Sequence, residues 1–254
     1  MNHRYGYADV SFGQVHYAIR RHTSAPGGAT LVLLNPRARS SLPMLPLFGN
    51  FERVIAIDIP GFGRSSAVPN GPAMPDIADA MAECFDALGV VRADLFGLHT
   101  GHKVAAAIAA RHPARIGRLV IAGRSHSLIP EHAARNVAMQ AVIDENQPDM
   151  AIIRMEGRYA DEAWAPRDFA EMFKANFNFD FAAAMCAIAV PTLVLEIASA
   201  REDELYGRQA HRLIAGMQDA CAVVLPQIDP TGLLMYVGVE TMADTVNAFF
   251  ARKS

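Results

Sequence analysis

Six short apolar runs, separated by stretches with helical periodicity, constrain this chain more than anything else in it. Thr30 to Asn35 reads TLVLLN, Arg53 to Gly61 reads RVIAIDIPG, Ala93 to Gly97 reads ADLFG and Arg118 to Gly123 reads RLVIAG. PTLVLE (Pro191 to Glu196) and AVVLP (Ala222 to Pro226) follow later. Runs without polar alternation have no face for water, so they fit central strands of a parallel sheet. Parallel neighbours need crossovers, and the intervening segments supply them. After Ile77 the apolar residues Met81, Cys84, Phe85 and Leu88 fall on one helical face, and Gly89 ends it. Lys103 to Arg111, KVAAAIAAR, is apolar almost all round, as a helix lying on a sheet must be. Glu204 to Met217 and Thr241 to Arg252 complete the helical set, and Tyr7 to Val10 with Val15 to Arg20 form an antiparallel hairpin at the start. The expectation is an α/β fold with a mostly parallel sheet of about eight strands flanked by helices.

The alternation stops between residues 127 and 187. This stretch is helical in pattern and rich in aromatic residues and methionine, Trp164 among them. It reads as a helical cap over the carboxyl edge of the sheet, where open α/β sheets bind ligands. The domains are then 1–126 with 188–254 as the core, and 127–187 as the inserted cap.

Composition narrows the function classes. With 254 residues, the chain can bury about three quarters of its unfolded surface. A net charge of −3 gives no basic footprint for nucleic acid. No apolar run approaches the ~20 residues of a membrane span, and the first residues lack the apolar core of a signal peptide. Cys84, Cys186 and Cys221 are widely spaced, which suggests reduced, mostly buried thiols and a cytoplasmic protein. A small-molecule substrate, an anion among the candidates, is the expected partner, without nucleic acid or membrane; a homodimer stays open.

Five motifs in order resemble the α/β-hydrolase fold family over essentially the whole chain: LVLLNP, DIPGFGRSS (Asp58 to Ser66), LFGLHTGHKVA (Leu95 to Ala105), PTLVLE and VVLPQIDPTG. The resemblance implies an α/β-hydrolase fold with a helical cap and chemistry at a strand-to-helix turn, the nucleophile elbow, written G-x-S-x-G. Here the elbow is Gly97-Leu98-His99-Thr100-Gly101, with histidine in place of serine. The segment that usually carries the catalytic histidine has Asp229-Pro230, and no histidine follows His211. The oxyanion loop has Asn35-Pro36-Arg37 in place of His-Gly, and the usual acid position falls near Glu202 and Asp203. An acyl-serine route is therefore not expected.

His99 is the expected general base, or a nucleophile, with Asp229 as its carboxylate partner in a role swap, or Glu202 or Asp203 in its place. Thr100, Arg37 and Arg124 are the anion- or oxyanion-binding candidates, with Arg39 nearby. For Arg124 and Arg37 the alternatives are a substrate carboxylate or a protein carboxylate such as Asp58, Glu196 or Asp229. Asn35, His126, Trp164, Glu202 and Asp203 are pocket candidates. His99, His102 and His126 come close in the fold, but their spacing matches no zinc motif, so no metal and no cofactor is expected. Two functions stand: an atypical enzyme of the fold, hydrolytic or of lyase type, acting on a small carbonyl or carboxylate compound, and an inactive ligand-binding or partner protein.

Overall fold

The computed structural model describes residues 3–22, 29–34, 40–48, 51–69, 71–145, 166–226 and 239–252. Its centre is one eight-stranded sheet in the order β1-β2-β4-β3-β5-β6-β7-β8. The strands are β1 (Arg4–Val10), β2 (Gly13–Arg21), β3 (Thr30–Leu34), β4 (Arg53–Ile57), β5 (Ala93–Leu98), β6 (Ile116–Arg124), β7 (Thr192–Ile197) and β8 (Ala220–Leu225). β1 and β2 form the expected hairpin, β2 joins β4 antiparallel, and every later pairing is parallel. The residues of β3, β5 and β7 are all buried, as the unbroken apolar runs require.

Helices cover both faces. On one side α1 (Met74–Ala87) and α2 (Thr100–Arg111) pack with Val32, Leu34, Ile55, Leu95 and Ile121. On the other, α9 (Val239–Phe250) packs Met242, Val246 and Phe249 against Leu31, Leu33, Phe96 and Leu195. Between β6 and β7 lie α3 (Ser125–Leu128), α4 (His132–Glu145), α5 (Pro166–Asn178) and α6 (Phe181–Ala187), so the described part of the inserted stretch is helical. Met172, Phe181 and Met185 from these helices join the core cluster of α1 and α2. The insertion is thus anchored to the sheet layer through α2.

Two sequence expectations change. The segment 204–217 is broken into α7 (Ala200–Tyr206) and α8 (Ala210–Ile214). Gly207 turns the chain at φ 68°, and the Glu196 carboxylate accepts hydrogen bonds from the backbone N–H groups of Gln209 and Ala210, 3.0 and 2.9 Å away. A buried acid at the end of β7 thus satisfies free amides at the new helix start. The thiols are also less buried than expected: Cys84 is buried, but Cys186 is exposed and Cys221 is intermediate. Helical periodicity located Cys186 on α6 without showing which side of that helix faces solvent. No helix among the described residues is long and apolar enough to cross a membrane.

Candidate functional site

The elbow forms where β5 meets α2. His99 stands between them with φ 50° and ψ −113°, the only described non-glycine residue at positive φ. Such a conformation costs about 1–3 kcal/mol and persists only where the surroundings enforce it. Enforcement is visible on both sides. The His99 N–H donates to Ala122 O at 2.9 Å, and the His102 N–H donates to His99 O at 3.1 Å. At Gly97 an added Cβ would lie 2.5 Å from both Gly101 O and His102 Cα, so the strand and helix touch backbone to backbone. Thr100 opens α2, and its N–H belongs to the first turn, where the helix has no acceptor of its own.

His126 stands in the first turn after β6 and stacks on His99, with ring centroids 6.1 Å apart and planes inclined by 15°. Glu202, on α7, fixes it. The Glu202 Oε2 atom accepts from the His126 backbone N–H at 3.0 Å and faces Nδ1 at 2.9 Å. An ionised carboxylate only accepts, so the Nδ1 proton points at Glu202 and Nε2 is left as the basic nitrogen. Arg124 Nη1 lies 3.7 Å from the other oxygen of Glu202. Burial alone would push the Glu202 carboxyl up. The hydrogen bond and positive charge of His126, with Arg124 adding to them, outweigh burial and hold it below its ordinary value.

His102 is turned away from this pair. Its Nδ1 bonds Ala122 O at 2.8 Å and its Nε2 meets Lys103 Nζ at 3.1 Å. Burial, and then the Lys103 charge, push its pKa well below the ordinary value, so it is a neutral ring built into the core. With both nitrogens committed, it does not converge with His99 and His126 on one point.

The sequence candidates therefore divide. His99, Thr100, His126, Glu202 and Arg124 come together. Arg124 has a protein carboxylate beside it, Glu202, which was not among those weighed for it from sequence. Asp58 is taken by His16 at 2.8 Å, and Glu196 by Ser125 and the start of α8. Asp203 forms an ion pair with Arg208 at 2.7 Å. Asn35, Arg37, Arg39, Trp164 and Asp229 lie outside the described residues, and with them the His99–Asp229 dyad. Sequence reading missed the joining of His126 to Glu202, which are 76 positions apart with no motif linking them. It also missed Lys103 and Arg135 as buried cations. The one available signal was a lysine in the first turn of an otherwise small and apolar helix.

No family model matches the chain. Over 125 residues it is 30% identical to a 2-hydroxy-6-oxononadienedioate/2-hydroxy-6-oxononatrienedioate hydrolase of Paraburkholderia phymatum, covering 46% of this chain and 43% of that protein. Over 88 residues it is 36% identical to a 2-hydroxymuconate semialdehyde hydrolase of a Pseudomonas species, covering 34% of this chain and 31% of that protein. The chain thus spans less than half the length of these curated relatives. Structural likeness runs further. The enol-lactonase of Burkholderia xenovorans LB400 superimposes with a TM-score of 0.73 at 20% identity, over 97% of this chain and 100% of the other. A hydrolase of Pseudomonas aeruginosa superimposes with a TM-score of 0.71 at 23% identity, over 98% and 99%. The chain has the α/β-hydrolase fold.

Proposed function

We propose that this protein is a hydrolase of small carbonyl compounds that works without a serine nucleophile, through paired imidazoles at the elbow. One observation carries the reading: the Glu202-held His126 lies against His99 on a strained elbow. In this scheme His126 Nε2 takes a proton from water as the water oxygen attacks the substrate carbonyl. The oxyanion forms beside the Thr100 N–H and the N-terminus of α2. Collapse of the tetrahedral adduct breaks the bond to the leaving group, which takes the proton back from the imidazolium. His99, presented into the site by the elbow, is the second base candidate and positions the water. Glu202 is a positioning residue that fixes the tautomer and orientation of His126.

The substrate class is taken from the two relatives named above, which are hydrolases of oxo-acids. We propose a small oxo-acid, cleaved at an ester bond or at a carbon–carbon bond beside its carbonyl. The test is turnover of 2-hydroxymuconate semialdehyde, related oxo-acids and activated esters by the purified chain, with His99→Ala and His126→Asn for comparison. Product formation lost in both variants supports the reading. Product formation unchanged in both refutes it. The serine-to-histidine exchange itself favours a second reading, a ligand-binding protein on the same fold. Saturable binding of these compounds without any product would select it.

A further inference from the structure

Outside the His126–Glu202 pair, the described residues hold a cluster of buried cations. Arg135, on α4, has no exposed surface, and Lys103, on α2, is 1% exposed. The Arg135 Nη2 atom donates to Phe179 O at 2.6 Å, while its Nε and Nη1 are buried without a hydrogen-bond partner among the described residues. Lys103 Nζ reaches His102 Nε2 at 3.1 Å and Ser127 O at 3.3 Å. Both cations lie over the ring of Phe181, at 5.3 Å for Lys103 Nζ and 5.8 Å for Arg135 Cζ. Neither forms an ion pair among the described residues. Asp180 favours the charged form of Arg135 electrostatically, but its carboxylate caps α6 by accepting from Ala183 N–H.

A buried guanidinium with two idle donors and no counterion is among the costliest arrangements a protein can hold, and folded proteins rarely keep one without a partner. A bound anion removes the cost. A monocarboxylate has the matching chemistry: it brings one negative charge and oxygen acceptors for N–H donors. We infer that Arg135, with Lys103 beside it, is the receptor for a carboxylate group of the substrate. Burial first, and the Arg135 charge second, drive the pKa of Lys103 well below its ordinary value, and an anion beside the two groups offsets both effects. This places the proposed anion site on α4 and not at Arg124, which faces Glu202.

This inference rests on the hydrolytic reading only in taking the anion to be part of a substrate; the site itself is tested by binding. The melting temperature of the full chain is measured at fixed ionic strength, after long incubation, with chloride replaced stepwise by acetate, propionate or phosphate. Acetate and propionate should raise it saturably, by about 3 °C at roughly tenfold excess over Kd. Arg135→Met should lower carboxylate affinity at least tenfold, whereas Arg124→Met should keep the response. His126→Asn should lose turnover and keep the response, which separates the two proposals. Loss of the response in Arg135→Met with turnover untouched in His126→Asn would leave this inference standing and overturn the hydrolytic one. If Arg135→Met does not fold, Arg135→Lys serves, because one ammonium does not replace the planar donor set. A wild type that responds to carboxylates no more than to chloride overturns the inference, as does a response that survives at Arg135→Met. A response to phosphate equal to that for propionate overturns the assignment to a substrate carboxylate.

Discussion

Replacing Glu202 tests whether the His126 pair is held as described. Two buried hydrogen bonds end on its Oε2, from the His126 N–H at 3.0 Å and from Nδ1 at 2.9 Å. Hydrogen bonds to a charged group contribute about 1.5–3 kcal/mol each, and Arg124, at 3.7 Å and partly exposed, adds less than about 1 kcal/mol. Removing the carboxylate also removes its own burial cost, so Glu202→Ala should lose about 3 kcal/mol of stability in urea unfolding. Glu202→Gln should lose only about 1–2 kcal/mol: its amide oxygen can accept both His126 donors, while its NH2 group faces the Arg124 guanidinium, donor against donor. Turnover should follow the same order, with a fall of about 100-fold or more in the alanine variant and a smaller one in the glutamine variant. The pH dependence has a fixed sign. The folded carboxyl is held below its ordinary value of 4.5, so the unfolded chain protonates first as the pH falls. The advantage of wild type over Glu202→Gln is therefore complete above about pH 4.5 and disappears as the pH drops through the folded value. A loss below about 1 kcal/mol in Glu202→Ala, or equal damage from both substitutions, would refute the argument.

Other substitutions probe the elbow and the buried cations. His99→Gly and His99→Ala both remove the imidazole, but only glycine relaxes φ 50°, so His99→Gly should be the more stable of the two by about 1 kcal/mol or more in thermal unfolding. Gly97→Ala drives a Cβ to 2.5 Å from the backbone of α2 and should abolish the folded state or cost more than about 3 kcal/mol, read by far-UV circular dichroism and urea titration. Lys103→Met should stabilise the chain at neutral pH in anion-free buffer, because it removes a buried amine that has no ion pair among the described residues. The Lys103 pKa is lowered by folding, so unfolding takes up a proton and wild-type stability rises with pH until the ordinary value of 10.5 is passed; the methionine advantage should shrink over that range.

The sheet was legible in the sequence because its signal is local. Runs such as TLVLL and TLVLEI are buried on both faces, and apolar composition alone reports that. The elbow was legible for a similar reason: Gly97 and Gly101 bracket residue 99 within a few positions, and their lack of side chains allows the close approach seen there. Helix ends set by distant groups were not legible. The break between α7 and α8 depends on Glu196 reaching amides 13 and 14 residues later, a contact with no local pattern. The partners of the site were hidden for the same reason. Which carboxylate meets which imidazole is decided by where α7 delivers Glu202 beside the first turn after β6. Asp203, one residue along, points instead to Arg208. Sequence placed the histidine at the elbow; tertiary packing alone decided that His126 would face it, that Glu202 would hold His126, and that Lys103 and Arg135 would be shut away without a counterion among the described residues. Periodicity records which face of an element is dry, whereas the pairing of polar groups depends on distances between elements far apart in the chain.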